Sequence, residues 1–358
     1  MPAPYREKIY EIVSSRRAGD FHVIYCHERE PNRQWDVQLG NYSKSFLKKS
    51  YFPLGDVFVH VNSDVWAELN HLDPQVVITT GYNPTFLFAY AWCLLKGRKH
   101  IPFTDGWLKS EEDLTQVHFW TRRAVFWRSS AFLGASQHSL DLFRHYGCPE
   151  EALFQSHLCA DNARYRRFAA AEKKYDVMFS GQFIERKMPF FFAEVAKHLK
   201  LKLPGLRVLL LGDGPERESL LADLRAAEID FHYAGYVSQA ALPAYYAAAK
   251  ILLFPTKLDP WGIVANEACA VGVPVITCAN AGVADDLILH DYNGYILELD
   301  AALWCEYTLQ LLQNLVRWQA FSEHALGRVQ EYNYDVAADG IIKALKFCEE
   351  ATRTTAKS

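Results

Sequence analysis

Short apolar runs recur along this chain, and most end on Gly, Asp, Ser or Pro before a segment of helical period begins. Strands are predicted over 21–26, 57–61, 75–80, 99–104 and 131–135. After a break, more follow over 176–180, 207–211, 229–233, 251–254 and 273–277. Between them the spacing predicts helices over 85–95, 111–130 and 139–146, then over 189–200, 216–227, 239–249 and 262–270. A helix is expected from Asp285 and a turn at Asn293-Gly294. Three further helices are read over 301–317, 321–332 and 336–348. The chain opens on a helix over 5–17, with Tyr5, Ile9, Ile12 and Val13 on one face. An α/β domain normally opens on a strand, so the first domain reads as lacking its first strand.

Strands alternating with helices imply parallel sheets with right-handed crossovers. The alternation runs twice. It is interrupted by a polar, irregular segment over 27–56 and by a linker-like stretch over 158–174. The predicted fold class is therefore α/β, with two doubly wound Rossmann-like domains facing a cleft. The domains are expected over 1–165 and 166–330, with a C-terminal helix and tail over 331–358 packing back on the first.

Composition changes this little. The 358 residues are 50% hydrophobic and 22% charged, ordinary for a globular protein with a large core. The net charge of −4 divides unevenly. Residues 1–170 hold 20 Lys and Arg against 18 Asp and Glu, and the remainder holds 18 against 24. The first half is the better candidate for an anionic partner. No long basic stripe suggests nucleic acid. Eight scattered cysteines show no metal-site spacing and read as buried free thiols of a reducing cytosol. The polar segment 1–17 does not read as a signal peptide, and no uninterrupted apolar run reaches bilayer length. A cytoplasmic protein is expected, peripheral to a membrane at most.

The candidate chemistry gathers in 251–276, ILLFPTKLDPWGIVANEACAVGVPVI. Asp259 lies in the loop leaving a strand. Gly262 opens a helix whose free N–H groups favour an anion. Glu267 sits inside that helix among Ala265, Ala268 and Ala270, where a buried acid needs a partner. Asp259 also has the bland reading of a turn former before Pro260.

Five segments in order carry a family resemblance: SGQFIERK (180–187), LLLGDGPE (209–216), YAGYVSQAALPAYYAAAKILLFPT (233–256), DPWGIVANEACAVGVPVI (259–276) and AGVADDLILHDYNG (281–294). They resemble the donor lobe of retaining glycosyltransferases of family 4, which have the GT-B fold. The resemblance implies transfer of a hexose from a nucleoside diphosphate sugar to a hydroxyl, with no metal or other cofactor. Lys187, with the N–H groups of Gly262, Ile263 and Val264, would neutralise the departing diphosphate. Glu267 would hold the ribose hydroxyls and Asp259 would lie beside the transferred sugar. Gly181, Gly212 and Gly214 would shape the strand-end turns, and Tyr236 and Val237 would lie near the base. The chain departs from the family at three places. Gln182 replaces an Arg, for which Arg186 is the nearest substitute. Asp259 replaces a Glu. Asp105 replaces a histidine, where it would bond a sugar hydroxyl or cap the next helix.

The expected acceptor is a glycan or lipid-linked hydroxyl in polysaccharide or glycoconjugate assembly. Lys44, Lys48, Lys49, Arg122, Arg123 and Arg128 are candidates for membrane contact by the first domain, unless the arginines are simply a solvated helix face. Two alternatives stay open: a nucleotide-sugar-binding pseudoenzyme, and an epimerase of similar fold.

Overall fold

The computed structural model describes residues 1–28, 37–54, 57–112 and 114–355. Residues 29–36, part of the expected irregular connection, lie outside the described residues. By its contacts the chain forms two units. One is Met1–Leu158 with Tyr334–Ser358, the other Cys159–Asn333.

In the first unit, helix α1 (Pro4–Arg16) buries Ile9 and Val13. Strand β1 (His22–Tyr25) pairs in parallel with β2 (Ser43–Phe46), and β3 (Tyr51–Leu54) forms an antiparallel pair with β4 (Val57–His60). Both β2 and β3 fall in the stretch read as irregular. SKSF has no apolar alternation to betray it; β1 supplies the partner. The hydroxyls of Tyr25 and Tyr42 converge on buried Glu7 at 2.7 and 2.6 Å, which anchors the segment leading into β2. Next come α2 (Val65–Leu72), β5 (Val76–Thr79), α3 (Pro84–Lys96), β6 (Lys99–Thr104), α4 (Leu108–Glu111), α5 (Gln116–Arg128), β7 (Phe132–Gly134), α6 (Gln137–His145) and β8 (Leu153–Gln155). Strands β5-β6-β7-β8 make one parallel sheet. The helix expected over 111–130 starts later, as α5: α4 ends at Glu111, the chain turns at Leu114, whose N–H bonds Glu111 O, and Thr115 is extended where α5 begins.

The second unit opens with α7 (Asn162–Arg166), inside the supposed linker. Asn162 Nδ2 donates to the carbonyls of Val329 and Tyr332 at 2.8 and 3.0 Å, and Tyr165 is buried in this unit. These anchors put the division at 158/159 rather than 165/166. The unit continues with β9 (Tyr175–Ser180), α8 (Pro189–Lys202), β10 (Arg207–Leu211), α9 (Arg217–Ala226), β11 (Asp230–Gly235), α10 (Leu242–Ala247), β12 (Ala249–Phe254), α11 (Ile263–Ala270), β13 (Val275–Thr277), β14 (Gly294–Ile296), α12 (Ala301–Gln313) and α13 (Leu315–Arg328). Its six strands run β11-β10-β9-β12-β13-β14, and every pairing is parallel. The central strands are continuous apolar runs, as a sheet covered on both faces requires: Val177, Met178, Val208, Leu209, Leu210, Ile251, Leu252 and Leu253 are all fully buried. The helix expected from Asp285 does not form. Asp285 has left-handed backbone (φ 57°), and Asn293 bonds Leu287 O and Leu289 N–H, folding the segment into turns that deliver β14.

Helix α14 (Tyr334–Thr355) returns to the first unit. Its Asp335 and Asp339 pair with Arg16, and Glu349 pairs with Arg17 at 2.6 Å. Ala337, Ala338, Ala344 and Cys348 are fully buried. A Cβ at Gly340 would stand 1.7 Å from Gln155 O, so α14 crosses the end of β8 backbone to backbone. Among the described residues no disulfide forms, and every cysteine but Cys148 is buried.

Candidate functional site

The strand order of the second unit sets where its loops diverge. From β9 the chain steps outward through β10 and β11, then returns to the other side of β9 for β12. The switch point therefore lies between β9 and β12, and the crevice beyond their carboxyl ends is where an open parallel sheet receives ligands. Gly181, Gln182 and Lys187 follow β9, and Asp259 and Gly262 follow β12.

Glycines bring these ends together. Gly181 N–H donates to Leu211 O at 3.0 Å, Gly212 N–H to Gly235 O at 2.8 Å, and Phe183 N–H to Asp213 O at 3.0 Å. Gly212 has φ +119°, and a Cβ there would lie 1.9 Å from Gly181 O. A Cβ at Gly214 would lie 2.4 Å from Phe183 O. Both glycines shape the site by backbone contact. At the end of β11, Tyr236 is exposed and Val237 half-buried.

Asp259 is buried and fixed on both sides of its backbone. Its N–H donates to Asn280 O at 3.0 Å and its carbonyl accepts from Gly282 N–H at 2.8 Å. Its carboxylate pairs with Lys187, whose ammonium sits 5.6 Å from the Phe254 ring centroid. The two loops are laced further by Arg186. Its guanidinium donates to Leu258 O at 2.8 Å, and its carbonyl accepts from Lys257 N–H and the Thr256 hydroxyl. Gln182, by contrast, is exposed.

Gly262 starts α11 with φ +103° and no side-chain cap, and a Cβ there would strike the Phe254 ring at 2.4 Å. Ile263 and Val264 form the half-buried first turn of that helix. Glu267, a turn further, is buried. It accepts from Tyr165 at 2.9 Å on one oxygen and from Tyr246 at 2.6 Å on the other. Ser180 Oγ lies 2.8 Å from Tyr246 Oη; with the phenol proton spent on Glu267, the serine donates. Burial pushes the Glu267 carboxyl from 4.5 up to about 6, against the two phenols, which pull it down. Burial and the carboxylate's charge push both phenols well above their usual range, which keeps them donors. No charged partner balances Glu267 among these contacts. Each carboxylate oxygen keeps a lone pair for a ligand hydroxyl.

Asp105 belongs to the first unit. It is exposed in the loop after β6, and Trp107 rather than Asp105 holds the N-cap position of α4. Among the described residues no three His, Cys, Asp or Glu side chains gather as a metal site. Of the basic residues read in the first half, Arg122 is buried. It pairs with Glu111 at 2.6 Å and lies 4.5 Å from the Tyr82 ring, so it is no part of a solvated basic face. Lys44 donates to Gly40 O at 2.6 Å.

Sequence reading missed Tyr165, Tyr246 and Ser180. Tyr165 lies in the stretch read as linker. Tyr246 lies on an expected helix, with nothing in its spacing to single it out from Tyr245.

The family model described as glycosyl transferases group 1 matches residues 161–321. The 2-deoxystreptamine N-acetyl-D-glucosaminyltransferase of Niallia circulans is 33% identical over 114 residues, 31% of this chain and 29% of that protein. The D-inositol 3-phosphate glycosyltransferase of Salinispora arenicola is 25% identical over 190 residues, 50% of this chain and 42% of that one. The chain thus spans under half the length of these curated relatives. Anabaena HepE, solved with UDP and glucose, superposes with a TM-score of 0.72 over 97% of this chain and 96% of its own, at 13% identity. Sucrose-phosphate synthase from Thermosynechococcus elongatus gives 0.73 over 99% and 93%, at 16% identity. At such identities the structures establish the fold, which is GT-B.

Proposed function

We propose that this GT-B chain, whose residues 161–321 match the model of the group 1 glycosyltransferases, moves a hexose from a nucleoside diphosphate sugar to an acceptor hydroxyl, with retention and without a metal. The observation that carries the reading is the Lys187–Asp259 pair at the sheet switch point, beside the uncapped start of α11. Breaking the glycosidic bond leaves negative charge on the diphosphate. A lysine and a helix N-terminus already in place stabilise that charge without reorganising. Asp259 holds Lys187 before the donor arrives and then lies beside the sugar. Glu267 takes the ribose hydroxyls on the lone pairs its tyrosines leave. Asp105 bonds a sugar hydroxyl. The acceptor is a glycan or lipid-linked hydroxyl, as the resemblance implies. HepE has been solved with UDP-glucose, which makes a UDP-hexose the first donor to test.

A second reading, a lobe that binds nucleotide sugar without turnover, is favoured by one observation. Gln182 stands where the family has Arg, and the guanidinium of Arg186 is engaged on Leu258 O. Calorimetry with UDP, GDP and ADP, followed by transfer assays with UDP-glucose, separates the two. The transferase reading expects binding and turnover, with affinity falling about 10- to 100-fold in Lys187→Ala. Binding with no turnover for any acceptor selects the second reading, and no binding of any nucleotide rejects both. If neither Glu267→Ala nor Asp105→Ala lowers transfer, the roles given to those two residues are wrong.

A further inference from the structure

Helix α5 carries an exposed apolar stripe that the donor chemistry does not use. Val117, Trp120 and Trp127 are 73%, 60% and 81% exposed, and Ala124 is exposed with them. At 3.6 residues per turn these four fall within about 80° of one another around the helix. Arg123 lies just beyond one edge of the stripe and Arg128 just beyond the other. Their guanidinium carbons are 6.0 Å from the Trp120 ring centroid and 5.8 Å from the Trp127 ring centroid. The opposite face holds the helix down, with Arg122, Val125 and Phe126 buried. The sequence of α5, QVHFWTRRAVFWR, contains no acidic residue. Beside it, Tyr90 of α3 donates to Ala124 O at 2.8 Å. Leu94 and Leu95, a turn further along α3, are 44% and 75% exposed.

We infer that this face of α5 docks on an anionic lipid surface, the helix lying in the headgroup plane with Trp120 and Trp127 inserted. Indole rings have an apolar body and a polar N–H, which suits the boundary between acyl chains and headgroups. Two arginines bracketing the stripe meet lipid phosphates while their stems cover apolar surface. Among the described residues no helix is long and apolar enough to cross a membrane, so the contact is interfacial. A protein partner fits less well. The stripe offers on the order of 400 Å² of apolar surface, about half of the ~800 Å² each side brings to a standard interface. The inference is independent of the donor-site reading, because it requires no residue of the second unit.

The test is co-flotation of the whole chain with vesicles of phosphatidylcholine containing phosphatidylglycerol, set against pure phosphatidylcholine. Binding is expected only to the anionic vesicles, weakening as salt rises, with a blue shift of tryptophan fluorescence. Arg123→Gln and Arg128→Gln each lower the partition about fivefold. Trp120→Ala with Trp127→Ala abolishes the blue shift, while the melting temperature and nucleotide binding are retained. Absence of wild-type flotation at low salt overturns the inference, as does flotation unchanged in the double tryptophan variant. Dimerisation of vesicle-free protein that is lost in that variant overturns it in favour of a second copy.

Discussion

Glu267 is a buried acid whose two oxygens accept hydrogen bonds from phenols, and that choice has consequences at the scale of single atoms. Phenols satisfy its lone pairs without cancelling its charge, so desolvation prevails and the carboxyl rises to about 6. Removing the Tyr246 hydroxyl takes away one of the two bonds that hold it down. Tyr246→Phe is therefore expected to push the Glu267 carboxyl higher still, and to cost about 1–3 kcal/mol for the oxygen left without its donor. The pH midpoint of nucleotide binding, followed by calorimetry, should move upward by the same change. A midpoint unmoved from that of the parent protein would detach Glu267 from the ligand. Lys187 and Asp259 differ in kind. Each is the other's counter-charge, so Asp259→Asn leaves an ammonium in a partly closed site and should impair both stability and binding.

At the scale of elements, glycine decides how closely the strand ends approach. Gly212 combines φ +119° with a backbone oxygen 1.9 Å from where its Cβ would be, and Gly282 would place a Cβ 1.9 Å from Pro260 O. Neither neighbour is a side chain free to swing aside. Gly212→Ala is expected to destabilise by about 3 kcal/mol or more in chemical denaturation and to weaken nucleotide binding as the β9 and β10 ends part. Gly205→Ala, with nothing within 4 Å of the new methyl, is the control and should change stability by less than about 0.5 kcal/mol. The short helix α7 shows the complementary effect. Five residues with little intrinsic stability hold their place because Asp161 caps Arg164 N–H and Asn162 bonds two distant carbonyls.

The whole molecule carries opposite pH responses in its two units. In the first, His100 is buried between Thr79 and Ser129, and desolvation lowers it from 6.5 to about 3. The unfolded chain binds that proton more readily, so stability present above pH 6.5 is lost as the pH falls toward 3. In the second, Glu267 is raised from 4.5 to about 6. Its contribution is full below 4.5 and is lost as pH rises through 6. Between pH 7 and 5.5 each group changes stability by about 1 kcal/mol, in opposite directions. Denaturant unfolding at the two pH values should show His100→Asn removing acid sensitivity and Glu267→Gln removing the opposing gain. An identical pH dependence in the parent and both variants would refute the assignment of these groups.

The parallel α/β architecture and the donor-lobe motifs were legible in the sequence, because buried strands must be apolar runs and strand ends must turn on Gly, Asp or Pro. Asp259 and Glu267 stood out as acids at a strand end and inside an apolar helix, whereas Lys187 and the strand-end glycines stood out through the family resemblance of their segments. The partners of these residues were not legible. SKSF becomes a strand only beside HVIY, and the segment after Asp285 becomes turns only because Asn293 satisfies its backbone. Tyr165 reaches Glu267 across 102 positions of chain. Arg122 reads as part of a basic face until Glu111 and Tyr82 enclose it, while Trp120 and Trp127 of the same helix stand exposed. Local sequence sets what a residue tolerates at its own backbone, while a hydrogen bond or a buried ion pair belongs to two places at once. Tertiary structure brings those two places together.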